Sequence, residues 1–198
     1  MAGGPSLTLP AEDVSYQVVV RWFPRCEVRY DTVFLRWDKT RTAQLLRPGA
    51  PSAPPGDPLL ADLVKAAEEQ AAGSVDWWRQ VGAAIRFPDG RTAAAVNRHL
   101  PDRLSAYAAG DPRSNFYKGV GLELSTAVHA EATLIADAAR EGIATAGSIM
   151  YVTDFPCPPC AKLIAGAGVS KLYFRTGYAV LDGQEVLQAA GVELLQVD

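Results

Sequence analysis

The stretch "YVTDFPCPPCAKLIAGAGVSKLYF", residues 151–174, decides the fold. It opens on a β-branched and aromatic run and is punctuated by Pro156, Pro158 and Pro159. It then carries apolar residues at helical spacing as far as Gly166 and Gly168, and closes on a second β-rich run. This pattern predicts a strand over 148–153, a helix over 157–167 and a strand over 169–174. Two strands joined through a helix pair in parallel, because a tight hairpin cannot connect them. The same alternation continues on both sides, with a helix near 128–141 before it and a helix over 182–190 and a strand over 192–197 after it. The fold class is therefore α/β, with a largely parallel edge to the sheet.

Upstream, "RQVGAAIRF" and "RTAAAV" flank "PDG" and predict a hairpin turning at Asp89 and Gly90. "PLLADLVKAAEEQAAG", residues 58–73, places Leu59, Leu60, Leu63, Val64, Ala67 and Ala71 on one helical face. Pro58 marks its start and Gly73 its stop. "RPGAPSAPPGDP", residues 47–58, supports neither a helix nor a central strand and reads as a linker. Before it, "SYQVVVRWFP" and "CEVRYDTVFLRWD" read as two strands of an N-terminal β-rich appendage. The expected organisation is an appendage over 1–50, a linker to about 58, and a principal domain over 59–198. Residues 97–125, with Pro101, Gly110, Pro112, Gly119 and Gly121, read as a long irregular loop, and loops of that length are usually functional. Trp77 and Trp78 are expected to supply one buried anchor and one partly exposed neighbour.

The 198 residues suffice for one sizeable core, and 48% hydrophobic and 21% charged residues are the composition of a globular chain. A net charge of −3 gives no general attraction to a polyanion, so a small substrate is favoured over nucleic acid. No apolar run approaches the roughly 20 residues of a membrane span, and no basic region followed by an apolar run opens the sequence. A cytoplasmic location is expected. In a reducing compartment the three cysteines stay free for metal or catalysis.

His129, Cys157 and Cys160 all fall at predicted helix N-termini, where free amides and the helix dipole favour thiolate. Nitrogen and sulfur ligands suit Zn2+, and three protein ligands leave one tetrahedral position for water, which points to catalysis. A structural zinc would want four ligands, but Cys26 and His99 have no paired spacing to this group. Glu131, two residues after His129, is placed to accept a proton from water and pass it on. As a bland alternative it is a solvated first-turn carboxylate.

H-x-E followed by P-C-x-x-C is the known signature of zinc-dependent nucleobase deaminases. Here it stands as "HAE" at 129–131 and "PCPPC" at 156–160. The sequence resembles the cytidine deaminase superfamily over roughly residues 59–198. Within it, "FPCPPCAKLIAGAGVSKLYF" and "RQVGAAI…DGR…VNRHLP" resemble the deoxycytidylate (dCMP) deaminase branch. The resemblance implies a three-layer α/β/α fold with a five-stranded mixed sheet and one catalytic zinc held by His129, Cys157 and Cys160. It implies hydrolysis of dCMP to dUMP with release of ammonia, through attack of a zinc-activated water on C4 of cytosine, with Glu131 shuttling the proton. It further implies that the Ala130 amide meets the base carbonyl, that Asn97 meets the sugar, that Tyr178 lies near the substrate, and that the chain forms a homo-oligomer, as members of the branch often do. Asn97 also suits a turn cap, and Tyr178 suits a core.

Asn97 is followed by "RHLP" where the branch commonly has a glycine, and the loop to His129 carries "GDPRSNFYKGVGLELST". Arg113 and Lys118 in this loop could neutralise a 5′-phosphate, or be ordinary solvated charges. With His99 alone and no cysteine there, no second zinc is expected. Two other readings stay open: deamination of single-stranded nucleic acid or a specialised nucleoside, and a non-catalytic zinc- or nucleotide-binding regulatory module.

Overall fold

The protein is described from a computed structural model, which describes residues 6–10, 13–31, 46–76, 79–109, 125–178 and 181–197. The chain divides into two compact units, Met1–Gln44 and Leu45–Asp198.

In the first unit, β1 (Ser6–Pro10) and β2 (Glu27–Asp31) pair in parallel, Ser6 opposite Glu27 and Pro10 opposite Asp31, across helix α1 (Asp13–Trp22). The sequence reading of residues 15–24 as a strand is thus corrected: most of that segment is α1. Val18 to Val20 and Trp22 favour a strand locally. Parallel pairing of the flanking strands, however, demands a crossover, and a helix supplies one. Val20 and Trp22 remain exposed on it.

The second unit is built on a five-stranded sheet. Its strands are β3 (Gly82–Arg86), β4 (Thr92–Val96), β7 (Ile149–Asp154), β8 (Lys171–Thr176) and β9 (Glu193–Gln196), in the order β4-β3-β7-β8-β9. The pairs β3/β4 and β3/β7 are antiparallel, and β7/β8 and β8/β9 are parallel. The sheet is therefore mixed, with the parallel edge that the alternation predicts.

Successive residues on these strands face opposite layers. Ala84, Tyr151, Tyr173 and Leu195 pack with Leu60, Leu63 and Ala67 of α2 (Pro58–Ala72). Ala83, Ile85, Met150, Val152, Leu172, Phe174 and Leu194 pack beneath α4 (Ala130–Glu141), α5 (Pro158–Gly166) and α6 (Asp182–Ala189). Fully buried strands with apolar residues on both faces are what a sheet covered on both sides requires. The result is three layers, α/β/α.

Gly82 marks the closest approach of helix to sheet, since a Cβ there would overlap the backbone carbonyl of Ala67 in α2. Because backbone, not a pliable side chain, blocks the space, Gly82→Ala is expected to cost about 3 kcal/mol or more. Denaturant unfolding checks this, and a variant as stable as wild type contradicts it.

The proline-rich residues read as a linker lie along the sheet. Ser52 bridges Gln196 in parallel, the Ala53 amide donates to the Gln196 carbonyl at 2.7 Å, and the Gln196 amide donates to the Pro51 carbonyl at 2.8 Å. The stretch read as one irregular loop, 97–125, contains β5 (Arg98–His99) and helix α3 (Ser105–Ala109), and β5 pairs antiparallel with β6 (Ala127–Val128), which follows it. Elements of two to five residues are too short to impose a sequence period.

Candidate metal centre

Two helix N-termini and the end of a central strand converge on one point. His129 is the residue preceding α4, with φ −75° and ψ 154°, and Cys157 is the residue preceding α5, with φ −64° and ψ 161°. Side chains at such positions usually accept a hydrogen bond from the first helical turn. Neither does so here, and both point instead at each other and at Cys160, one turn into α5. His129 Nδ1 lies 3.3 Å from Cys157 Sγ and 3.3 Å from Cys160 Sγ, and the three ligand atoms fall within 4.8 Å of one another. An ion with metal–sulfur bonds of about 2.3 Å and a metal–nitrogen bond of about 2.0 Å needs such spacing. Among the described residues this is the one group of three or more His, Cys, Asp or Glu side chains placed for a metal.

The electrostatics of the three residues favour the same use. A hydrogen bond from Cys160 holds the Cys157 thiol down at about 5 against the effect of burial, with help from His129. The Cys160 thiol is pushed up in return, because it donates to Cys157 and is itself buried. Burial would lower the His129 imidazolium, but its hydrogen bond to Cys157 and the charge of Glu131 raise it above the ordinary histidine value.

Glu131, in the first turn of α4, is 3% exposed, and its Oε2 has no hydrogen-bond partner among the described residues. Burial raises its carboxyl above the usual carboxylate range, against the pull of His129. A buried polar atom left unpaired costs about 1–3 kcal/mol, so a partner beyond the described residues that completes its bonding is implied. Ala130, fully buried between His129 and Glu131, is the first residue of α4, so its amide has no acceptor within the helix.

The remaining predicted residues are distributed differently. Tyr178 is 4% exposed, and burial pushes its hydroxyl up to about 12. Its carbonyl accepts from the Leu46 amide at 3.0 Å. Gly177 permits that approach, since any Cβ there would overlap the Leu46 carbonyl oxygen. Asn97 is 4% exposed, and every hydrogen-bonding position of its amide is used within the protein. Its Oδ1 accepts from the Ser74 hydroxyl at 3.0 Å and from the Val81 amide at 2.9 Å. Its Nδ2 donates to Asp76 Oδ2 at 2.9 Å and to the Arg79 carbonyl at 2.7 Å. Arg113, Lys118, Trp77 and Trp78 lie outside the described residues. Phe155 packs edge-on against Phe174 in the core, ring centroids 5.0 Å apart.

Sequence reasoning missed Arg79 and Asp154. Arg79 Nη2 donates to Asp154 Oδ1 at 2.6 Å, and its guanidinium stands 4.5 Å from the centroid of the Tyr178 ring. Its charge is felt at His129, Glu131 and Tyr178. The two partners are 75 residues apart, and only their positions, just before β3 and at the end of β7, offered a signal.

Residues 60–176, more than half of the sequence, match the family described as "Cytidine and deoxycytidylate deaminase zinc-binding region". The chain belongs to this family. Its cofactor is zinc, for which His129, Cys157 and Cys160 are the fitting donors. Over 72 residues, 35% of the chain, this family member is 42% identical to the deoxycytidylate deaminases of the enterobacteria phages T2 and T4. These alignments cover 38% and 37% of the two phage proteins, so the chain spans well under two thirds of these two relatives. Among solved structures it is similar to the dCMP deaminase of cyanophage S-TIM5 in complex with dCMP and dUMP. That likeness has 29% identity and a TM-score of 0.54, and covers 71% of this chain and 98% of the other.

Proposed function

We propose that this deaminase family member hydrolyses dCMP to dUMP and ammonia. The observation that carries the reading is the buried, otherwise unpaired Glu131 carboxyl beside the His129, Cys157 and Cys160 cluster. Likeness to the cyanophage enzyme over nearly its whole length supports the choice of cytosine nucleotide. When bound, zinc supplies the Lewis acidity that makes a water molecule nucleophilic at neutral pH. Glu131 would take a proton from the attacking water and deliver it to N3 of the base as the water oxygen bonds to C4, then carry the proton of the new C4 hydroxyl to the amine as the C4–N4 bond breaks and ammonia leaves. Its raised pKa suits a group that must both hold and release a proton. The first-turn amide of Ala130 is placed to hold the base carbonyl. Tyr178, fixed by the Leu46 bridge and the Arg79 guanidinium, walls the pocket. Asn97, with its amide fully engaged by Ser74, Asp76, Arg79 and Val81, contributes by shaping the sugar side of the pocket.

No helix among the described residues is long and apolar enough to cross a membrane. Together with the resemblance, this supports a cytoplasmic enzyme of nucleotide metabolism. The test is ammonia release from dCMP, dCTP, deoxycytidine and cytosine in parallel. Turnover is expected with dCMP at a kcat/KM at least about tenfold above deoxycytidine, as loss of a charge-assisted contact to phosphate predicts. No release from any of the four compounds sinks the reading.

A further inference from the structure

A second buried polar cluster lies beside the metal centre, and of its members only Asn97 has been given a part in the site described above. Asp76, Asn97 and His99 are 0%, 4% and 1% exposed. A carboxylate taken out of water is costly unless the fold surrounds it with partners. Asp76 Oδ1 accepts from the Arg79 amide at 3.2 Å, Oδ2 accepts from Asn97 at 2.9 Å, and His99 Nε2 stands 3.6 Å from Oδ2. On its other side, His99 Nδ1 shares a hydrogen bond of 2.7 Å with Thr126 Oγ1. The His99 ring meets Tyr107 edge-on, and the Tyr107 hydroxyl donates to the Val75 carbonyl.

Thr126 begins the segment that ends in the metal donor His129. The ladder that holds this segment has two residue pairs, Arg98 with Val128 and His99 with Ala127, plus one bond from the Leu100 amide to the Thr126 carbonyl at 3.0 Å. So short a ladder is marginal alone. The His99 imidazole fastens it from the protein interior and joins it to the loop that carries Arg79.

We infer that His99 is a positioning residue, which through Thr126 fixes the strand delivering His129 to the metal and through Asp76 ties that strand to the loop bearing Arg79. The inference rests on the proposed function only in its use of zinc at His129, Cys157 and Cys160.

The experiment is a zinc competition titration of the full-length metalloprotein against a chromophoric chelator. Thr126→Val removes the hydroxyl while keeping the shape, Thr126→Ser returns it, and His99→Phe keeps a ring without its nitrogens. Zinc affinity is expected to fall about tenfold or more in Thr126→Val and His99→Phe, the scale seen when partners behind a metal ligand are removed, and to recover in Thr126→Ser. Leu195→Ala, in the layer facing α2, is a control for destabilisation alone; it is expected to lower Tm and leave zinc affinity unchanged. Wild-type zinc affinity in folded Thr126→Val and His99→Phe overturns the inference, as does an equal loss in Leu195→Ala. If His99→Phe does not fold, Thr126→Val decides. No substrate enters the titration, so a wrong substrate assignment leaves this result untouched and shows itself only in the ammonia assay.

Discussion

Glu131→Gln is expected to retain zinc and to lose about 10²- to 10⁴-fold in kcat, the range for removal of a positioned proton carrier. The substitution preserves volume and removes the group that can take up and release a proton. Because Glu131 Oε2 is buried with no partner among the described residues, the wild-type side chain is held at a cost to stability. The variant buries an uncharged amide where the wild type buries an ionisable carboxyl, so it is expected to melt no lower than the wild type. Turnover, metal content and Tm measured on one preparation check the three statements together. A variant with wild-type turnover removes Glu131 from the mechanism, and one that loses its zinc assigns the carboxylate to holding the metal.

Much of this site was legible because it is built at places where the chain is punctuated. Prolines 156, 158 and 159 fix where β7 ends and α5 begins, which puts Cys157 just ahead of the helix and Cys160 one turn inside it. The periods of β7, α5, β8 and α6 are long enough to read because each element is covered on its inner face. The N-terminal segment had no such cover: α1 carries exposed Val20 and Trp22, and its run of three valines, Val18 to Val20, gave a strand-like local signal. What makes it a helix is the parallel pairing of β1 with β2, a long-range fact. Arg79 and Asp154 were illegible for the same reason, since their ion pair exists only once β3 lies beside β7. Asn97 shows the complementary case. Its place after β4 was readable, but four bonds to Ser74, Asp76, Arg79 and Val81 depend on a folded loop that spacing does not report.

The largest effect is expected from Cys157→Ala. Of the three donors, two side chains from α5 and its boundary face one from the start of α4, so each removal leaves a pair that cannot close a tetrahedral site. Zinc is expected to drop from about one per chain to a trace after chelator wash, and turnover by more than about 10⁴-fold, since both the Lewis acid and the water it activates are lost. Metal binding also couples to folding. A chelator is therefore expected to lower the Tm of the wild type and leave that of Cys157→Ala unmoved. Cys26→Ser, in the other compact unit and outside the donor group, is expected to keep zinc, turnover and the chelator response. If Cys157→Ala retains stoichiometric zinc and activity, the donors lie elsewhere. In that case the convergence of α4 and α5 on one point, with His129 and Cys157 leaving their own helix amides uncapped, is packing alone.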